Sequence, residues 1–253
     1  MSNEVLVEYA DSTIIITINR PDARNAINRA VTDGVAAAIV ELESRADLTI
    51  GILTGAGGVF SAGMDLRAFR NGEDLEHPRG LAGITHQPPR KPLIAAVEGW
   101  ALGGGFEIAL AADLIVAASN AKFGLPEVKS SLVASGGGLL RLPGRIPSAI
   151  AMEMALTGDP LTADQALRFG LVNQLTEPDG ALAGARALAT RITANGPLAV
   201  AATKEIVSHA LDWTIEEGFA KQDAIMQPVF ASEDAREGIT AFTEKRAPVW
   251  KGR

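Results

Sequence analysis

Cysteine is absent from this chain of 253 residues. That excludes disulfides, thiolate nucleophiles and cysteine-held metals. Aromatic residues are only 5% of the total, and there are three histidines. His77, His86 and His209 are scattered, the first two in a charged, loop-like segment, so neither a metal site nor Ser-His-Asp chemistry is expected of them. Positive charge is also in deficit, with 23 Lys+Arg against 30 Asp+Glu and a net charge of −7. Nucleic acid as main partner is excluded on that ground, since phosphate backbones need a basic face. A local basic patch for a small phosphorylated ligand remains compatible with it. No apolar run is long enough to span a bilayer, and MSNEVLVEYAD lacks the basic-then-apolar pattern of an export signal. A soluble cytoplasmic protein without a membrane partner is the expectation.

Hydrophobic residues make up 47% and charged residues 21%, which describes a folded globular chain long enough for a full core. Ser12 to Asn19 is rich in β-branched residues and predicts a strand closed by Arg20-Pro21. An amphipathic helix follows over Ile27 to Ser44, with Asn25 or Asn28 as cap. Strands are then predicted at Thr49 to Thr54, Leu93 to Val97 and Leu114 to Ala117. The segment from Arg70 to Arg90 shows little periodicity and is expected to form a mobile cover. Four strand-then-turn units at related spacing suggest repeated β-β-α winding. From Ser148 onward the pattern is helical, with Thr162 as a cap. Asn195-Gly196-Pro197 is the strongest break, and divides a core over 1–195 from a helical region over 196–253. Helices are expected there from Leu198 to about Ala210, around Thr214 to Met226, and from Asp234 to Lys245.

The stretch from Lys91 to Asp113 holds the chemistry. Between Trp100 and Ala112 the only ionisable side chain is Glu107, just after Gly103, Gly104 and Gly105. A lone carboxylate on an apolar helix is costly unless it has a partner or a task. The glycine run is not a dinucleotide fingerprint, because Ile108 stands where a third spaced glycine is required. There is no phosphate loop, and neither Ser61 nor Ser135 sits in a G-x-S-x-G elbow. Two glycine loops each follow a strand, FSAGMD and WALGGGFE, and can present the N–H groups of Met64 and Gly104 to one point. Such a pair would form an oxyanion hole. Glu127, after Pro126, suits a first helical turn, and Asp65 suits an N-cap. Asp113 suits a helix end, and Arg20, Arg24 and Arg67 are read as solvated side chains whose grouping is compatible with a phosphate-bearing ligand.

Together these blocks resemble the enoyl-CoA hydratase/isomerase (crotonase) superfamily over nearly the whole length. The resemblance is carried by NRPDARNAI, ILTGAGGVFSAGMDL, KPLIAAVEGWALGGGFEIALAADLIVA, AKFGLPEVK, GGGLLRLP, ALTGDPLTADQALRFGLVN and FTEKRAPVWKGR. FGLPEVK, GGGFEIALAAD and the last block look closest to its carnitinyl-CoA dehydratase branch. The resemblance implies an α/β fold: a ββα spiral core with a C-terminal helical trimerisation region, in a homotrimer or dimer of trimers. It implies that Met64 and Gly104 N–H groups bind a thioester oxygen, and that Glu107 and Glu127 act on a 2-enoyl-CoA. Retention of both acids favours hydration over isomerisation; a carnitine-type acyl-CoA or a non-catalytic acyl-CoA binder are the other readings. CoA, part of the substrate and not a resident cofactor, would lie along Ala23, Arg24, Ala62, Met64, Asp65, Leu66 and Arg67. Phe242 and Lys245 would reach it from an adjacent subunit. The chain departs from the usual hydratase pattern at Ser131, Ala134 and Ser135, which bears on acyl-pocket shape.

Overall fold

The structure is a computed structural model and describes residues 4–253. Strands β1 (Val5–Ala10) and β2 (Thr13–Ile18) form an antiparallel hairpin, and α1 (Arg29–Ser44) follows. Asn28 caps α1 by accepting from the Val31 N–H. Asn25 does not: it is fully buried, with its amide donating to the Ala56 and Val59 carbonyls. Next come β3 (Ile50–Gly55), the short α2 (Leu66–Arg70), β4 (Leu93–Val97), β5 (Trp100–Leu102) and α3 (Gly104–Ala111). Then β6 (Leu114–Ala118), β7 (Lys122–Gly124), a 3-10 turn at Pro126–Ser130, α4 (Gly138–Arg145) and α5 (Ser148–Thr157). The remainder is β8 (Leu161–Thr162), α6 (Ala163–Arg168), β9 (Gln174–Thr176), α7 (Ala181–Thr193), α8 (Pro197–His209), α9 (Ile215–Ala231) and α10 (Glu233–Glu244).

Two sheets result. The larger has the order β1-β2-β3-β4-β6-β9 and is parallel from β2 onward; the smaller is β5-β7-β8. Each winding leaves one strand in the large sheet, turns, and contributes to the small one: β4 then β5, β6 then β7. Two isolated parallel bridges, Ile27 with Met64 and Ser61 with Ala101, continue the same pattern where the first windings have no full second strand. This is the ββα spiral. The inner strands are apolar on both faces, as parallel strands covered on both sides must be. One side packs α1 and α3, and the other packs α7, whose small residues Ala181, Ala185 and Ala189 lie close on the strands.

Several short strands are invisible to periodicity. β5, β7, β8 and β9 have two or three residues each, and α4 grows out of a glycine-rich stretch despite holding Pro143. The expected cover is a further correction. Ala82, Gly83, Ile84 and Thr85 are buried, and a Cβ on Gly83 would lie 2.4 Å from that of Ala36 on α1. This part of the segment is a wall.

The C-terminal helices differ in kind. α8 and α9 bury no residue within the chain, and Leu211, Ile215, Phe219 and Phe230 are exposed. α8 is nevertheless tied to the sheet. Lys204 Nζ donates to Asp113 Oδ2 at 2.6 Å and to the carbonyls of Pro89 and Lys91, while the same carboxylate oxygen accepts from the Leu93 N–H of β4. Asp113 is thus a junction, not only a helix end. No helix among the described residues is long and apolar enough to cross a membrane.

Candidate active site

The loop after β3 is laid against β5 by two backbone bonds at Ser61: its N–H donates to Trp100 O and its carbonyl accepts from Leu102 N–H, both at 3.0 Å. On the loop's other edge Ile27 N–H donates to Gly63 O, and Asp65 N–H donates to Ile27 O, both at 2.8 Å. Strand alternation then turns the Met64 N–H away from Ile27. Gly63 adopts φ +93°, and a Cβ there would lie 2.9 Å from Gly104 N; one on Gly104 would lie 3.4 Å from Met64 N. The two amides stand side by side only because these positions lack side chains. Gly104 opens α3, so its N–H has no acceptor within the helix. Among the described residues neither amide donates to another protein group.

Glu107, one turn into α3, is 3% exposed. Its Oε1 accepts from Gly138 N–H at 2.9 Å. A Cβ at Gly136 would sit 2.7 Å from Oε2, and one at Gly138 2.9 Å from Cγ, so the SGGG run closes around the carboxylate. Glu127 stands second in the 3-10 turn that follows β7, with Pro126 setting its first φ. Its Oε1 would be 2.8 Å from a Cβ on Gly103, the residue before the Gly104 amide. Its Oε2 is buried without a hydrogen-bond partner among the described residues. Burial pushes both carboxyls above the usual glutamate range. For Glu107 the Gly138 and Gly136 N–H groups and the Arg141 guanidinium oppose that rise. For Glu127 only its own N–H opposes it, while the Glu107 charge adds to it. The Glu107 charge is therefore felt at Glu127.

This arrangement can polarise a carbonyl oxygen at the paired amides while two carboxyls, one with amide and guanidinium support and one without, exchange protons nearby. A profile of the enoyl-CoA hydratase/isomerase family matches residues 8–253. The chain belongs to that family. An enoyl-CoA hydratase from Mycobacterium tuberculosis H37Rv is 59% identical with a TM-score of 0.98, over the full length of both chains. A carnitinyl-CoA hydratase from Mycobacterium avium, also matched over both full lengths, is 43% identical with a TM-score of 0.80. The carnitinyl-CoA dehydratase of Salmonella arizonae is 46% identical over 100% of both chains. As a member of this family, the chain has the crotonase fold its sequence blocks suggest.

Around the amides, Ala23 ends a 3-10 turn, and the carbonyl of Arg24 accepts from Ala62 N–H at 2.9 Å. Ala62 on the loop and Leu66 and Arg67 at the start of α2 are exposed. Asp65 caps α2 through the Arg67 and Ala68 N–H groups and takes Arg20 Nη1 at 3.0 Å. Burial alone would raise the Asp65 carboxyl, but the Ala68 N–H and Arg20 hold it below its ordinary value. Arg20 is thus a half-buried partner of Asp65 and Glu4, not a solvated side chain. Phe242 and Lys245 lie at the end of α10, where Phe242 is 87% exposed. Sequence reasoning misses Gly136, Gly138, Leu81 and Arg141 as parts of the site. Leu81 Cδ2 lies 2.4 Å from where Gly104 would carry a Cβ, so the wall segment rests on the amide turn. The glycine run SGGG was the one available signal, since three glycines before a helix ask what they approach.

Proposed function

We propose that this chain catalyses reversible addition of water across the 2,3 double bond of 2-enoyl-CoA thioesters. The thioester oxygen binds between the N–H groups of Met64 and Gly104, which draws electron density from C3 toward the oxygen. One water sits between Glu107 and Glu127. Glu107, supported by two amides and a guanidinium, is the anion that takes a proton as the water oxygen bonds to C3. Glu127, whose Oε2 has no donor to stabilise a charge, holds the proton that goes to C2. Passing a proton from Glu107 to Glu127 resets the pair, whose ionisations are properties of the two together. CoA is part of the substrate, so the reaction itself calls for no resident cofactor. Its ADP and pantetheine portions lie along Ala23, Arg24, Ala62 and Met64 to Arg67. Phe242 and Lys245 reach it from a neighbouring copy in a homotrimer or dimer of trimers, with residues 196–253 as the assembling region. The exposed apolar residues of α8, α9 and α10 support that role.

The observation that carries this reading is that, among the described residues, Glu127 Oε2 is unpartnered beside the amide turn, two amides are unengaged, and Glu107 is cradled one turn into α3. Hydration removes the conjugated enoyl-thioester absorbance, so a spectrophotometric screen across acyl lengths tests it directly. Turnover of crotonyl- or longer enoyl-CoA is expected; no turnover of any chain length would end it. A second reading, a carnitine-type acyl-CoA, is favoured by the Salmonella relative's name. Against it, a cationic acyl tail near Glu107 would meet the half-buried Arg141, and Phe106 of α3 and Phe123 of β7 are fully buried and pack on each other at 5.6 Å instead of forming a cage. Crotonobetainyl-CoA in the same screen separates the two.

A further inference from the structure

Arg141 lies on α4, one turn after the glycines that enclose Glu107. Its Nη2 donates to Thr85 O at 2.6 Å, and its Nη1 approaches Gly136 O at 3.5 Å. A Cβ on Gly137 would collide with Nη1, so the guanidinium comes up against the loop where only a glycine leaves room for it. Thr85 closes the wall whose other end, Leu81, rests on Gly104. One side chain therefore joins three things: the carboxylate cradle, the wall, and through the wall the amide turn.

We infer that Arg141 is a positioning residue for the reaction, holding the Gly136–Gly138 cradle against the Leu81–Thr85 wall so that Glu107 keeps its orientation and its negative charge at the water site. The inference rests on the hydratase reading above. Arg141 touches no reacting atom; it acts through Glu107. The other charged groups around this carboxylate do not duplicate it. Arg145, on the same helix, turns to the carbonyls of Leu110, Ala112 and Asp113 at the end of α3. Arg79, on the wall segment, is committed to the Gly83 and Gln87 carbonyls, and His86 beside it is exposed. Glu127, on the 3-10 turn, is itself an acid whose carboxyl the Glu107 charge pushes up, so it supplies no positive charge to Glu107.

The test compares Arg141→Gln and Arg141→Lys by kcat, KM, melting temperature and the pH profile of kcat/KM with crotonyl-CoA, whose acid limb reports ionisation in the free enzyme. For Arg141→Gln, kcat is expected to fall tenfold or more with KM little changed, and the acid limb to move up by roughly half a pH unit or more. Lysine keeps the charge but not the two-pronged reach, so Arg141→Lys should leave the limb near its wild-type position while kcat stays depressed. Wild-type kcat in either variant overturns the inference, as does a lysine limb displaced as far as the glutamine one. If Arg141→Gln does not fold, the lysine variant decides alone: depressed kcat with an unmoved limb supports the role. Absence of hydration by the wild-type enzyme would instead defeat the underlying reaction assignment, which keeps the two failures apart.

Discussion

The two halves of the site treat their acids differently. Around Glu107 the chain is closed: two glycines fit the carboxylate, a backbone N–H reaches Oε1 at 2.9 Å, and a guanidinium stands behind. Around Glu127 it is open. The residue sits on a five-residue 3-10 turn, one carboxyl oxygen has no donor among the described residues, and no cation answers it. Leaving a buried polar atom unmatched costs about 1–3 kcal/mol. Asn25 is satisfied at its side-chain polar atoms, whereas Glu127 Oε2, like the hydroxyls of Thr32 and Thr85, has no partner among the described residues; of the three, only Glu127 Oε2 is an acid placed beside the amide turn. In the proposed mechanism this contrast sorts the roles: the supported acid carries the charge, and the unsupported one carries the proton.

The most severe way to break the contrast is to make the two sides chemically alike. Glu107→Gln and Glu127→Gln should each lower kcat by about 10²–10⁴-fold, in line with losing a positioned acid or base. CoA affinity, measured by calorimetry, should be largely kept. Near-wild-type hydration by both variants would remove the mechanism. A milder intrusion targets the closed half alone. Gly136→Ala puts a methyl where 2.7 Å separates it from Glu107 Oε2, and should cost on the order of tenfold in kcat through misplacement of the acid. The same change at the open, exposed Gly144, which meets nothing within 4 Å, should be silent in kcat.

Stability offers the finest test. Both carboxyls are held above the ordinary value of 4.5, so between that value and the raised one the folded chain binds more protons than the unfolded chain. Stability contributed by these groups is then present at low pH and declines as pH rises through the folded values. A Glu107→Gln/Glu127→Gln double variant should accordingly melt higher than wild type near pH 8, with the difference closing toward pH 4. The rise should amount to a few degrees, as expected when an active site trades stability for function. An unchanged melting temperature at both pH values would mean that the acids cost the fold nothing.

Much of this site is legible in the sequence because its parts are exceptions to local rules. Glu107 is the single charge on an apolar helix, and Met64 and Gly104 sit in glycine loops that follow strands. The same logic places Asp65 and Thr162 at N-caps, and both occur, Thr162 in a full capping box with Gln165. What escapes is everything fixed by tertiary contact. Strands of two or three residues have no period to read, and Trp100–Leu102 exists because it pairs with β7 and Ser61, not because of its composition. Arg141 gives no signal in the sequence, since nothing nearby reveals that Thr85, more than fifty positions earlier, supplies its carbonyl. Arg70 to Arg90 misleads for the mirror reason. Its ends are charged, but Ala82 to Thr85 are small or apolar enough to be swallowed by α1.

The grip of Lys204 on Asp113 and on two carbonyls ahead of β4 gives the last helices a fixed bearing. They are a bracket bolted to the strand that leads into the amide turn, not a tail on a string. Whatever settles on the bare flank of α8 meets a helix already anchored to the residues just ahead of β4.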